Sequence, residues 1–100
     1  MIQTEIQNSE SYNGWANRET WNVSLWISND ENLYDAAAQA VDFLTRHGKL
    51  SESLTPSWAK AFATVEFFAR YGKPETPDGI QTNDPKIDWS AIADMIKELS

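Results

Sequence analysis

Three stretches of this chain place apolar residues three and four apart, the spacing of a helix with one dry face. Together they commit a single hundred-residue domain to a helical core. The first follows Asn29 or Asp30 as a cap and carries Leu33, Ala37, Ala40, Val41 and Leu44 on one face. Its wet face holds Glu31, Asp35, Gln39, Asp42 and Arg46, and it stops near Gly48. The second starts at Thr55-Pro56-Ser57, where proline suits a first turn, and ends at Gly72 and Pro74. Its stripe of Trp58, Ala61, Phe62, Val65, Phe68 and Ala69 is expected to face the core, with Phe67 and Tyr71 off that stripe. The third takes Asp88 or Ser90 as its cap and buries Trp89, Ile92, Ala93, Ile96 and Leu99. Between the last two, Lys73 to Lys86 carries three prolines and a Pro-Asp-Gly turn, and its length and lack of apolar residues mark it as a loop.

The segment NRETWNVSLW, Asn17 to Trp26, is harder to place. Trp21, Val23, Leu25 and Ile27 alternate as a strand would. Arg18, Trp21, Asn22, Leu25, Trp26 and Asn29 instead share one face of a helix, with Val23 and Ile27 roughly opposite. Asn17 is a natural cap, Glu19 suits the first turn, and helical neighbours favour a fourth helix here. The expected architecture is therefore all-α, with four helices in one domain over residues 17–100; the alternative is α+β with a short strand at 20–27. Residues 1–16 are polar and read as an arm, mobile from Met1 to Tyr12 and pinned at Tyr12 and Trp15. Ile2, Thr4 and Ile6 alternate weakly, as in an edge strand without an evident mate.

Composition narrows the function. The absence of cysteine removes disulfides, thiolate metal sites and thiol nucleophiles. The opening MIQTEIQNSESYNG has neither a basic nor an apolar signal region, so a cytoplasmic location is expected. A net charge of -7 argues against direct binding of nucleic acid or an anionic membrane. The acids concentrate in residues 1–45, where seven face Arg18 alone.

Catalytic and metal sets are hard to assemble. His47 is the only histidine and sits near a helix end, where its ordinary role is to complement the helix dipole. Glu31 and Asp35 form an exposed acidic pair, and the four glycines are isolated, so no metal site, cofactor or phosphate loop is expected. A small enzyme would have to use His47 or an unidentified carboxylate pair.

The positive signal is Arg18, Trp21, Asn22, Trp26 and Asn29. One reading makes the tryptophans core and the polar groups backbone partners. The other makes the set a partner-binding patch of aromatic anchors flanked by arginine, extended by Phe67 and Tyr71. The acidic face of Glu31, Asp35 and Asp42 offers a further alternative, a DNA mimic, set against a solvated face with an Asp42–Arg46 pair.

The run NRETWNVSLWISNDENLY, Asn17 to Tyr34, resembles a family of small proteins from bacteriophages and bacteria, cyanobacteria and their phages in particular. These share an N-R-x-T-W-N-V-x-L-W core followed by N-D-E and L-Y. TPDG at Thr76 to Gly79 and the stretch Trp89 to Leu99 are similar too. The resemblance makes Asn17, Arg18, Thr20, Trp21, Asn22, Leu25, Trp26 and Asn29 the defining positions, and Ser24 departs from an expected alanine. It implies an origin in a phage or other mobile element and no assigned activity. The expectation is a noncatalytic interaction protein that binds and modulates a host protein, or pairs with itself as a homodimer.

Overall fold

A computed structural model describes Tyr12 and residues 14–99. The predicted edge strand at Ile2 to Ile6 and most of the predicted arm lie outside the described residues. Five helices follow in order: α1, Arg18–Asn29; α2, Glu31–Arg46; α3, Leu50–Ser53; α4, Pro56–Tyr71; and α5, Trp89–Lys97. Among the described residues there is no strand, only isolated bridges at Tyr12–Trp15 and Glu75–Gln81. The architecture is all-α, and the alternative strand at 20–27 is overturned, because that segment is helix throughout. Besides the four expected helices, α3 adds a single turn that no hydrophobic period could announce.

Capping explains why the helices start where they do. The Asn17 side chain accepts from Thr20 N, Thr55 from Trp58 N, and Asp88 from Ala91 N, each satisfying a free donor of a first turn. Asp30 serves two helices: its N–H closes α1 on Trp26 O, while its side chain accepts from Asn32 N and Leu33 N to open α2. Its extended backbone, φ -83° and ψ 118°, turns the chain between them. Gly72 ends α4 in the left-handed region at φ 84°, where a side chain is disfavoured.

Helix α5 packs against α1, α2 and α4, and α1 also packs against α2. The core between them takes Val23 and Ile27 from α1, Leu33, Ala37 and Val41 from α2, and Ile92, Ala93 and Ile96 from α5. Leu54, the loop residues Ile80 and Ile87, and Ala59, Ala63 and Phe67 from α4 complete it. The Lys73–Lys86 loop, expected to lack apolar residues, is thus tied to the core by Ile80, with Ile87 buried just beyond its end.

Helix α4 departs from expectation. Ala59, Ala63 and Phe67 are its buried residues, whereas Val65 and Phe68 are 62% and 61% exposed. Ala61 and Ala69 are exposed as well, and Trp58 and Phe62 only half-buried. The helix is therefore rotated about half a turn from the orientation its larger stripe implies. Alanines at 59 and 63 let α4 lie close to α5, and Phe67 fills the space beyond them. Burying that one side chain contributes roughly 1.5–3 kcal/mol. Of the wider stripe, Trp58 and Phe62 pack against the edge of the core, and Ala61, Val65, Phe68 and Ala69 are left to water.

Candidate interaction surface

The polar residues of α1 hold the loop that leads to α5. At one end, Asn17 Nδ2 donates to Lys86 O at 2.7 Å, and Asp88 N donates to Thr20 Oγ1 at 2.9 Å. Thr20 is wholly buried, so this bond gives its hydroxyl oxygen a donor where water does not reach. At the other end, Asn22 Nδ2 donates to Asp78 Oδ2 at 2.8 Å, and Asn22 Oδ1 accepts from Thr76 Oγ1 at 2.6 Å. Thr76 Oγ1 in turn accepts from Ile80 N, which closes the Thr76–Gly79 turn on itself. Trp26 Nε1 donates to the same Asp78 oxygen at 2.9 Å.

Each predicted patch residue now has a place. Asn22 is 1% exposed and both ends of its amide are engaged internally, so it is a buried strut and not a group offered at the surface. Trp26 is half-buried, with its N–H taken by Asp78 and its ring edge-on to Tyr71 at 6.2 Å and 78°. Trp21 is half-buried too, and Tyr12 lies against it at 5.7 Å. Arg18 and Asn29 are exposed near the two ends of α1. The structure brings Arg18 and Asp78 close enough to feel each other's charge. Phe67 is core, and Tyr71 faces inward to Asp30, so neither extends a patch.

Asp78 was not singled out by its sequence, yet it organises this surface. Its carboxylate is exposed while two side-chain donors hold it from below. Hydrogen bonds from Asn22 and Trp26 lower its pKa, burial acts weakly against them, and the Arg18 charge adds to the lowering. The ionised form is therefore locked in place.

A second carboxylate anchors α4 from beneath. Asp30 Oδ2 accepts from Tyr71 Oη at 2.7 Å and Arg70 Nε at 3.0 Å, while Oδ1 accepts from Asn32 N and Leu33 N. Burial alone would raise the Asp30 pKa, but these four hydrogen bonds together bring it below its ordinary value. Burial and the bond to Asp30 both push the Tyr71 hydroxyl well above the usual phenol range. The cap of α2 was legible in the sequence; its link to α4, forty residues on, was not.

The remaining candidates stay apart. Glu31, Asp35 and Asp42 are all exposed on α2, and Asp42 pairs with Arg46 at 3.1 Å. His47 is the exposed C-cap of α2, with Nδ1 2.9 Å from Phe43 O and its ring 4.3 Å from that of Phe43. Among the described residues no three His, Cys, Asp or Glu side chains cluster as metal ligands. No described helix is long and apolar enough to cross a membrane.

A family model described as "Family of unknown function (DUF7249)" matches residues 8–100. Neither a curated protein nor a solved structure matches the chain.

Proposed function

We propose that this chain, which belongs to the DUF7249 family of unknown function, is a noncatalytic interaction protein whose contact surface combines α1 with the turn at Asp78. Arg18, the accessible part of Trp21, the Asp78 carboxylate and Asn29 would meet the partner. The observation that carries this reading is Asp78 itself, an exposed charge held in place by hydrogen bonds from Asn22 and Trp26. A group fixed before contact loses little freedom on binding, and tryptophan and arginine are among the residues most enriched at interface hot spots. Asn22 and Trp26 then act from within, by aiming the surface and not by touching the partner. The likeness of the Asn17–Tyr34 run to small phage and cyanobacterial proteins points to a host protein in the cytoplasm, whose activity this chain would alter.

The test is capture of a host protein on immobilised chain, repeated with Arg18→Ala and Asn29→Ala. Both side chains are exposed, so the fold should survive and circular dichroism should be unchanged. Arg18→Ala is expected to weaken capture at least about tenfold, a hot-spot loss of roughly 1.4 kcal/mol or more. Capture that neither substitution alters would overturn the surface assigned here. A captured nucleic-acid enzyme released by modest salt, regardless of Arg18, would favour the DNA mimic instead.

A further inference from the structure

We propose that the outer face of α4 pairs with the same face of a second copy of this chain, antiparallel, about a twofold axis beside Val65. This inference is independent of the α1 surface. It starts from the burial of α4, in which Ala59, Ala63 and Phe67 face the core while Ala61, Val65, Phe68 and Ala69 face water. Trp58 and Phe62, stacked at 5.1 Å and 9°, line one side of the exposed strip. Large apolar side chains at 62% and 61% exposure on a well-formed helix mark a contact surface.

Three features select a second copy as the occupant. The first is neutrality: Ser57, Trp58, Ala61, Phe62, Val65, Phe68, Ala69 and Gly72 form the strip without one charge, in a chain with 23% charged residues. Around a twofold axis like meets like, so a charge near it would face its own copy. The second is placement within an acidic molecule. The chain carries -7, yet residues 55–75 hold three bases and two acids, so two copies meet least repulsion through this side.

The third is shape. Ala61 and Phe68 lie symmetrically about the midpoint between Thr64 and Val65. An antiparallel copy therefore sets Phe68 of each chain over Ala61 of the other, large against small. That reciprocal relation, in which i meets j and j meets i, is what an isologous contact requires. The helix has 16 residues, about 24 Å of length, and the seam is one helix wide. Such a contact lies at the small end of protein interfaces, so the dimer forms in a concentration-dependent way.

The chain has no cysteine, so single-cysteine variants report the seam directly. Val65→Cys, beside the axis, is expected to give a disulfide-linked dimer on mild oxidation. Ser57→Cys, whose two copies would lie about 22 Å apart, is expected to stay mostly unlinked. In sedimentation equilibrium the unmodified chain should rise from 11.3 kDa towards twice that mass as concentration increases, and Phe68→Ser should hold it at one chain. A single-chain mass for the unmodified protein up to about 1 mM would overturn the proposal, as would equal cross-linking at positions 57 and 65. Because Arg18-dependent capture is read separately, either reading can fail while the other stands.

Discussion

The indole N–H of Trp26 and the carboxylate of Asp78 are joined at 2.9 Å across fifty-two residues of chain. The bond ties α1 to the Thr76–Gly79 turn. Asn22 reaches the same carboxylate oxygen, and Asn17 and Thr20 hold the far end of the loop at Lys86 and Asp88. Three side chains of α1 and its cap residue thus set the path between α4 and α5.

Asn22→Ala should loosen that path. It removes the acceptor of a buried threonine hydroxyl and one of the two donors on Asp78. Leaving a buried group without a partner costs about 1–3 kcal/mol, so unfolding free energy in urea should fall by roughly 2 kcal/mol. A change under about 0.5 kcal/mol, the size of an ordinary surface substitution, would show that α1 does not hold the loop.

Adjacent phenylalanines test the orientation of α4. Phe67 is wholly buried and Phe68 is 61% exposed. Phe67→Ala should cost about 3–5 kcal/mol. Phe68→Ala in dilute solution should stay within about 0.5 kcal/mol of the parent. The reverse order would mean that the larger stripe faces the core.

Acid should destabilise the fold through Asp30. Its folded pKa lies below the ordinary value of 3.8, because four hydrogen bonds outweigh burial. The stabilisation is therefore fully present above that value and is lost as pH falls through the folded pKa. Chemical denaturation followed from about pH 5 to pH 2 should show this decline, and Asp30→Asn should flatten it. An unchanged slope in Asp30→Asn would remove Asp30 as the source.

Alkali should act through Tyr71 in the opposite sense. Its folded pKa is raised above 10.0 by burial and by Asp30, so its contribution is complete below that value and disappears as pH rises through the folded pKa. Absorbance titration should find one tyrosine ionising after the others, and Tyr71→Phe should abolish that late phase. The same variant should lose about 1.5–3 kcal/mol, the range for a hydrogen bond to a charged group.

The helix spans were largely legible because their signals are local. Asn17, Asp30, Thr55 and Asp88 are side chains that satisfy donors two or three residues away, and Gly72 ends a helix through its own backbone. Even the α1 segment, which its alternation left open between helix and strand, was decided correctly by its cap and its company. Arg18 and Asn29 are exposed as a surface reading needs, whereas the burial of Asn22 depended on Thr76 and Asp78, more than fifty residues away.

By itself, then, the sequence determined where α1, α2, α4 and α5 would coil, because capping and periodicity act within a few residues. It did not determine which side of each helix would be covered. On α4 the side with Val65 and Phe68 stayed in water, and the one with Ala59, Ala63 and Phe67 went in. Periodicity defines the faces of a helix, but burial is settled by whichever distant element fits most closely against one of them. That fit, and the long-range bonds of Asp30 and Asp78, exist only once the chain is folded.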